Sequence, residues 1–295
     1  MYGTETTNVQ FLNQSFIDKV DGGMEKEASV AASAFVRQKL REDGFTRKVM
    51  EPQMVTAADL DRQLTDEPAI IVEKEPDSVA ASMGFRGRSE LRYFKGERYA
   101  VNFHKIESKE FKKSKFELAT YRTDIRTVLQ ENSVKDIQKV EDTSFYANIL
   151  GMATAASNVY TIAGGFNMPN FQAGIKKLLA KQLPVGKILM TQEMYADFLA
   201  QPATQIGSDA ASSLFMGQTG IATPYGNQII VTNKNDILPN NQMIVFAPTQ
   251  YLGQMYILQD AMVYLKTEAD LLSFKTYESV GIGFGNVNGA AVINF

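Results

Sequence analysis

The side chains most often used for catalysis are scarce in this sequence. His104 is the only histidine, and its segment, RYAVNFHKI, has the alternation typical of a β-strand. A Ser-His-Asp arrangement would need that imidazole as its base, and no serine lies in a nucleophile-elbow pattern. The sequence has no cysteine and no HExxH, CxxC, EF-hand or P-loop pattern. We therefore interpret His104 as structural and expect no catalytic residue, no metal site and no cofactor.

Three glycines near the C-terminus could instead bind a phosphate. Gly281, Gly283 and Gly285 alternate in ESVGIGFGNVNGAAVINF, whereas a dinucleotide fingerprint reads G-x-G-x-x-G and opens a helix. Position 286 is Asn, and the AAVINF that follows is typical of a strand. Alternate residues of a strand share one side of it. The pattern therefore predicts a smooth strand face that another backbone or a helix approaches closely.

The composition is that of a globular protein with a substantial core. The chain has 295 residues, of which 44% are hydrophobic and 21% charged, enough for one large domain or two ordinary ones. Its net charge of −3 favours neither nucleic-acid nor membrane binding. The long uncharged stretch at 143–175 is interrupted by Asn, Gly and Pro, which argues against a membrane helix.

Charge is concentrated in the first half of the chain. Residues 1–143 contain 23 Lys and Arg and 25 Asp and Glu, whereas residues 144–295 contain 7 and 8. Since a compact domain accommodates charge poorly in its core, we expect the first half to be extended and the second compact. Dense charge of balanced sign suits contacts between subunits, although a solvated face is the ordinary alternative.

The first half predicts an arm, a helix and strands. Residues 1–21 lack firm periodicity and are predicted to be an arm, and apolar spacing predicts a helix over 24–40. AADLDRQL is a short helical candidate, AIIVEKE predicts a strand, and two strands are expected around the Lys95-Gly96 turn. The Lys/Glu run at 105–117 is interpreted as a solvated segment, with phosphate binding as the weaker alternative.

The middle and second half predict a long helix and then a mixed sheet. TYRTDIRTVLQE is helical, and Ser133 with Asp136 is interpreted as the capping box of a second helix. The apolar phase slips between Glu131 and Val134, which predicts a kink. Helices are then expected at FQAGIKKLLAKQ and QEMYADFLA, and a long loop from Ala203. Strands are expected at KILMT, NQIIVT, QMIVFAP, QMYIL, AMVYLKTE, LLSFKTYESVGIGF and AAVINF. This order indicates an α+β fold.

Three segments together carry a resemblance to a known family. ELATYRTDIRTVLQENSVKDIQKVEDTSF resembles the approach to the long spine helix of a peripheral domain, and MGFRGRSELRYFKGERYAVNFHKI resembles an extended β-hairpin loop. The loop and final strands of an axial domain are resembled by two further segments, SSLFMGQTGIATPYGNQIIVTN and YESVGIGFGNVNGAAVINF. From about residue 24 onward, the chain resembles the major capsid proteins of tailed bacteriophages, which have the Hong Kong 97-type fold.

The resemblance implies a division of the chain into an arm, a loop and two domains. Residues 1–50 would be the N-terminal arm and residues 70–106 the extended loop. The peripheral domain with its spine helix would comprise 107–147 and 259–280. The axial domain would comprise 148–258 and 281–295.

The resemblance also implies a structural function and no enzyme activity. Copies would self-assemble into pentamers and hexamers of an icosahedral head shell around packaged double-stranded DNA, bound without sequence specificity. The expected partners are further copies of the chain, a separate scaffolding protein, a portal and decoration proteins, and no membrane. The expected location is the virion, with assembly in the host cytoplasm.

Two sets of charged residues follow as candidates for contacts. The extended loop supplies those expected to touch neighbouring subunits: Arg86, Arg88, Glu90, Arg92, Lys95, Glu97 and Arg98. The run after it supplies basic residues that could line the inner surface of the shell: Lys109, Lys112, Lys113 and Lys115.

Two alternatives stay open at the level of sequence. An encapsulin-type nanocompartment would share this fold and enclose cargo enzymes, with the helix at 24–40 as its docking element. A soluble α+β enzyme would form a small oligomer with convergent polar groups in a pocket.

Overall fold

The structure, a computed structural model, describes residues 3–61, 67–74, 96–120, 124–200 and 227–295. The α-helices are α1 (Gly3–Asp21), α2 (Glu25–Asp43), α3 (Phe45–Val49), α4 (Lys115–Thr120), α5 (Ile125–Leu129), α6 (Lys135–Ala155), α7 (Met168–Leu179), α8 (Gln192–Leu199) and α9 (Thr249–Leu252). The β-strands are β1 (Pro52–Met54), β2 (Ala69–Lys74), β3 (Glu97–Asn102), β4 (His104–Glu107), β5 (Phe111–Ser114), β6 (Val159–Thr161), β7 (Lys187–Thr191), β8 (Gln228–Thr232), β9 (Gln242–Phe246), β10 (Gly253–Glu268), β11 (Leu271–Phe284) and β12 (Ala290–Asn294). Within these ranges, no helix is both long and apolar enough to cross a membrane.

The strands form two five-stranded sheets and one two-stranded ladder. The first, here called the hairpin sheet, has the order β1-β10-β11-β4, and β5 pairs with β11 further along. The second, the compact sheet, has the order β6-β12-β9-β7-β8 and mixes parallel with antiparallel pairs. The ladder, β2-β3, is antiparallel. Helices pack against both larger sheets, so the predicted α+β class is confirmed.

The hairpin of β10 and β11 is the longest element of the fold. Pairing runs from Gly253 opposite Phe284 to Glu268 opposite Leu271. QMYIL and AMVYLKTE, predicted as two strands, are therefore parts of one strand. The register is irregular between Ile257 and Met262. The polar residues at this irregularity hid the continuity of the strand in the sequence.

Helix α2 covers one face of this hairpin, as its apolar spacing predicts. Ala28, Ala32, Val36 and Leu40 are buried at intervals of about one helical turn. Alternate residues of β11, among them Leu272, Phe274 and Val280, are buried in the same core. The helix predicted over 24–40 is confirmed and continues to Asp43.

The spine of the fold is helical on both sides of a π-helical turn. Helix α5 ends at Leu129, a π-helical segment spans Gln130–Val134, and α6 continues to Ala155. The predicted break in phase is confirmed, because a π-turn inserts extra backbone into the helix. The predicted capping box is wrong, since Ser133 lies inside the π-turn. Its buried hydroxyl has no hydrogen-bond partner within the described ranges.

The N-terminal segment is helical, although its sequence has no firm periodicity. Helix α1 buries Ile17 and Val20 in the core. The buried Asn13 donates through Nδ2 to the carbonyl of Leu118 at 3.0 Å and accepts from the backbone N–H of Ile125 at 3.2 Å. With only a few apolar contacts anchoring it, α1 has too weak an apolar period to be recognised from sequence.

The Lys/Glu run at 105–117 forms strands whose charged side chains are mostly exposed, in agreement with its interpretation as a solvated segment. Its strands β4 and β5 pair with β11. Phe111 stacks on Phe274 with ring centroids 5.2 Å apart, while the charged side chains point outward. The segment pairs as strands because alternate residues of a strand face the same side, and Ile106 and Phe111 make the apolar contacts on the core side.

The compact sheet is the predicted small-residue part of the chain. Strands β7, β9 and β12 are almost entirely buried. Asn167 caps α7 by accepting from the N–H of Asn170 at 2.8 Å, and Thr191 caps α8 as predicted. AADLDRQL forms a short 3-10 turn at Ala57–Asp59. Its end, beyond Asp61, and the predicted loop from Ala203 lie outside the described residues.

Candidate functional site

The glycine face of β11 is in close contact with the ladder strand β3. A methyl group built on Gly283 would lie 2.4 Å from Val101 Cγ2, and one on Gly281 would lie 3.0 Å from the carbonyl oxygen of Asn102. A methyl group on Gly285 would lie 3.2 Å from the hydroxyl of Tyr99. The predicted close approach of another backbone is confirmed. Strand β12, rather than a helix, follows the glycines, so the geometry lacks the helix N-terminus of a phosphate site.

The ladder β2-β3 forms the base of the predicted extended loop. Its register runs from Ala69 opposite Asn102 to Lys74 opposite Glu97. A small core of Val55, Val101, Phe103 and Tyr256 anchors the ladder to β10. The strand predicted before the Lys95-Gly96 turn lies outside the described residues, and β3 pairs with β2. The base of the loop is therefore fixed to the hairpin sheet.

Of the candidate subunit contacts, the structure describes Glu97 and Arg98. Arg98 donates through Nε to Glu73 Oε2 at 3.0 Å, and its Nη2 lies 2.9 Å from the same oxygen. Both side chains are exposed, so the pair contributes little to stability. Arg98 thus binds within its own ladder. The other candidates, which lie outside the described residues, are Arg86, Arg88, Glu90, Arg92 and Lys95.

The lysines expected on the inner surface are mostly paired with carboxylates. Lys112 lies 2.6 Å from Glu268, Lys113 lies 3.7 Å from Glu117, and Lys115 lies 2.5 Å from Asp21. Hydrogen bonds from Lys112 and Lys266 lower the pKa of Glu268 to about 2. Lys109 is exposed. This segment therefore presents a mixed lattice of charges rather than a uniformly basic patch.

Sequence reasoning missed a group of buried charges where α3, α6 and the hairpin meet. Arg47, Glu141 and Glu278 are all at most 4% exposed. Arg47 Nη2 lies 3.0 Å from Glu141 Oε1 and 2.6 Å from Glu278 Oε2. The one available signal was Glu278, a carboxylate at a core-facing position of a strand. We call Arg47, Glu141, Glu278 and the neighbouring Asp260 the Arg47 junction.

A second buried carboxylate joins the same helix to the compact sheet. Asp142 accepts hydrogen bonds from the N–H of Thr46 at 3.0 Å and from its hydroxyl at 2.6 Å. Lys234, which follows β8, donates to its other oxygen at 2.5 Å. Asp142 therefore links α3, α6 and the compact sheet at one point.

The geometry around His104 does not resemble a catalytic centre. His104 is the first residue of β4, is exposed, and stands opposite Val280 in the hairpin sheet. Among the described residues, no cluster of three or more His, Asp or Glu side chains could hold a metal ion. The polar groups that converge in the core are those of the Arg47 junction, and they join elements of the fold.

Comparison with solved structures identifies the fold. The chain is similar to the virus-like particle from Pyrococcus furiosus, with a TM-score of 0.52 and 16% identity over 89% of this chain and 98% of that chain. It is similar to a structure from Mycobacterium phage Adephagia, with a TM-score of 0.58 and 10% identity over 85% and 90%. It is also similar to the capsid of the Cyanophage P-SCSP1u, with a TM-score of 0.52 and 13% identity over 82% and 86%.

These likenesses define the class of fold. The protein has the Hong Kong 97-type fold, and the predicted fold is confirmed. No family model matches the sequence, and no curated protein matches it. At identities of 10–16%, the likeness is one of architecture.

Proposed function

We propose that this protein is a major capsid protein, which self-assembles into the pentamers and hexamers of an icosahedral head shell around packaged phage DNA. The observation that carries the proposal is the extent of the structural match. The alignment includes 98% of the subunit of a virus-like particle and 86% of the chain of a cyanophage capsid. Since the fold accounts for nearly the whole of both shell-forming chains, we assign this chain the same structural role and no enzyme activity.

The contacts at the loop base support this role. A loop that reaches a neighbouring subunit needs a rigid attachment, because a flexible base would add entropy cost to every contact. The glycine face and the Val55–Val101–Phe103–Tyr256 core supply that attachment. We propose that the loop charges from Arg86 to Lys95 then bind neighbouring subunits, and that Glu97 and Arg98 set the start of that surface.

We propose a division into domains that follows the sheets. We propose an arm at 1–50, a loop at 70–106, a peripheral domain at 107–147 with the long hairpin, and an axial domain around the compact sheet. The expected boundaries at 258/259 and 280/281 fall inside the continuous strands β10 and β11. We therefore assign all of Gly253–Phe284 to the peripheral domain and 148–252 with 285–295 to the axial domain, and the continuous helix α6 crosses the boundary at 147/148.

The proposed partners are other copies of the chain, a separate scaffolding protein, a portal, decoration proteins and enclosed double-stranded DNA. The proposed location is the virion, after assembly in the host cytoplasm. Lys109, Lys112, Lys113 and Lys115 are proposed to face the DNA. Since three of them already have carboxylate partners, we expect weak, salt-sensitive contact with phosphates rather than tight binding.

Assembly of the purified chain tests the proposal. Expressed with and without a candidate scaffolding protein, the chain should form megadalton particles by size-exclusion chromatography and closed shells by negative-stain microscopy. A variant with Arg86, Arg88 and Arg92 all changed to Glu should lower the yield of shells without changing the urea midpoint of the subunit. The matched variant with Lys at the same positions should assemble, because it retains the charge. A small, monodisperse oligomer under every condition would contradict the proposal.

The similarity to the Pyrococcus furiosus particle favours one second candidate, an encapsulin-type nanocompartment shell. Both functions predict closed particles, so the contents distinguish them. Particles purified from the natural source should contain nuclease-protected DNA if the protein encloses a phage genome. A stoichiometric enzyme inside DNA-free particles would favour the nanocompartment.

A further inference from the structure

The Arg47 junction places two carboxylates on a single guanidinium in the core. Arg47 Nε lies 3.1 Å and 3.2 Å from the two oxygens of Glu141, and Nη2 lies 3.0 Å from Oε1, so Glu141 on α6 is bound along one edge of the guanidinium. The same Nη2 group also donates to Oε2 of Glu278 on β11. The other oxygen of Glu278, Oε1, is buried without a hydrogen-bond partner among the described residues. Arg47 Nη1 is likewise buried without a hydrogen bond there. The network thus has an unfilled acceptor and an unfilled donor.

The two further cations near the junction pair with Asp260 at the edge of the core rather than with Glu278. Asp260 on β10 lies 3.9 Å from Arg47 Nη1 and is 3.6 Å from both Arg37 and Arg41 of α2, which are partly exposed. On α6, Asp142 is paired with Lys234, which follows β8. On β4, the residue opposite Glu278 is Ile106, which carries no charge.

Buried charge of one sign favours uptake of a proton. With both glutamates ionised, Arg47 would neutralise one of them and leave a net negative charge in the core, which is strongly unfavourable. Burial, together with the nearby carboxylate of Glu141, raises the pKa of Glu278 to about 8. Burial also raises the pKa of Glu141, which Arg47 opposes. Because Glu141 accepts three hydrogen bonds from Arg47 and Glu278 accepts one, the proton belongs on Glu278.

We propose that the Arg47 junction is a proton-controlled latch between helices α2–α3 and the β10–β11 hairpin. With Glu278 protonated, Arg47 bridges α6 and β11 and the latch is closed. When Glu278 loses its proton, Glu141 and Glu278 repel each other across the shared Nη2 atom, and α2–α3 detach more readily from the hairpin. This inference goes beyond shell formation, since it concerns each subunit.

The sign of the pH dependence follows from the raised pKa. Glu278 ionises near its ordinary pKa of 4.5 in the unfolded chain and near 8 in the folded protein. Its stabilising contribution is fully present below about pH 4.5, falls as the pH rises, and is lost above about pH 8. The latch therefore opens toward alkaline pH.

Hydrogen exchange measured by mass spectrometry tests the latch in the protein as purified. After correction for the intrinsic exchange rate, peptides from α2, α3 and β11 should lose protection between about pH 6 and about pH 9. The change in their opening equilibrium should be about a hundredfold, because Glu278 is ionised in the opened state throughout, and each of the two pH units from pH 6 up to its folded pKa of about 8 changes the equilibrium about tenfold. Peptides from β7 and β9 of the compact sheet serve as the internal reference and should not change.

Two variants separate the latch from general alkaline loosening. Glu278→Gln mimics the protonated side chain and should keep α2–α3 protected at both pH values. Glu131→Gln, an exposed carboxylate in the π-turn, should behave as the wild type. If wild-type α2–α3 peptides show equal protection at both pH values, or if Glu278→Gln retains the wild-type dependence, the proposal is wrong. If Glu278→Gln fails to fold, the wild-type comparison alone decides. The wild type and the variants are compared in the same assembly state, so this outcome is independent of the assembly experiment.

Discussion

Gly283 is the position at which the smallest added side chain should have the largest effect. In Gly283→Ala, the new methyl group would lie 2.4 Å from Val101 Cγ2 and 3.2 Å from Tyr99 Cε2. Carbon atoms in contact are normally about 3.5–4.0 Å apart. The methyl group therefore has to displace Val101, and with it β3, by about 1 Å, unless the two strands separate further.

The expected loss of stability is moderate and can be bounded. Overpacking a filled core costs about 1–3 kcal/mol. The substitution also restricts the unfolded chain, which offsets about 0.4–1 kcal/mol where the backbone tolerates a side chain. Since Gly283 has no left-handed backbone angle, that offset applies here. We expect a net destabilisation of about 1–2 kcal/mol, and more for Gly283→Val.

Urea unfolding of the unassembled subunit, followed by tyrosine fluorescence or circular dichroism, measures this loss. The matched control is Gly151→Ala in α6, where a methyl group meets no atom within 4 Å. Alanine there should stabilise the helix by up to about 1 kcal/mol. The two variants share the chemical change and should shift the urea midpoint in opposite directions.

A double-mutant cycle identifies the contact responsible. In Val101→Ala the atom nearest the new methyl group is absent, and the remaining Val101 Cβ would lie 3.6 Å away, an ordinary contact. Gly283→Ala should then destabilise less in the Val101→Ala background, with a coupling of about 1 kcal/mol or more. Additive effects, or a Gly283→Ala variant as stable as the wild type, would refute the close approach.

Other positions give further tests. Asp142→Ala leaves Lys234 and the N–H of Thr46 without their buried acceptor. It should lower the free energy of unfolding in urea by about 3–5 kcal/mol. The control, Asp136→Ala, changes an exposed residue of the same helix and should alter stability by less than about 0.5 kcal/mol. Asn13→Ala leaves the carbonyl of Leu118 and the N–H of Ile125 without their hydrogen-bond partner. It should lower the free energy of unfolding by about 1–3 kcal/mol in the same assay. A smaller loss would show that α1 is not anchored there. ATP and NAD should leave the melting temperature unchanged in differential scanning fluorimetry, and a nucleotide-dependent rise would contradict the structural interpretation of the C-terminal glycines.

The features predictable from sequence are those that depend on a strong local period. The spacing from Ala28 to Leu40 specifies a helix wherever it packs. The alternation of Gly281, Gly283 and Gly285 specifies a bare strand face without specifying what lies on it. The slip of phase after Glu131 predicts an interruption of the spine. In each case a few neighbouring residues carry the whole signal.

The features that sequence could not supply depend on distant residues. Arg47 is separated from Glu141 by 94 positions and from Glu278 by 231, and nothing local distinguishes these side chains from solvated ones. Ser133 and Asp136 have the spacing of a helix cap. The helix nevertheless continues through Ser133, because the apolar faces on both sides of it are buried together. Helix α1 is similar, since Asn13 binds Leu118 and Ile125, which are 105 and 112 positions away.

The long hairpin has a mechanical consequence. At about 3.4 Å per residue, β10 is about 50 Å long. The loop base rests on one end at Gly283, and Phe16 of the N-terminal helix stacks on Phe274 toward the other. The irregular register between Ile257 and Met262 contains Asp260, so the hairpin is irregular where the buried charges meet. Bulges concentrate twist. On the proposed function, a torque that a neighbouring subunit applies to the loop would turn the hairpin at this irregularity and be transmitted to α1.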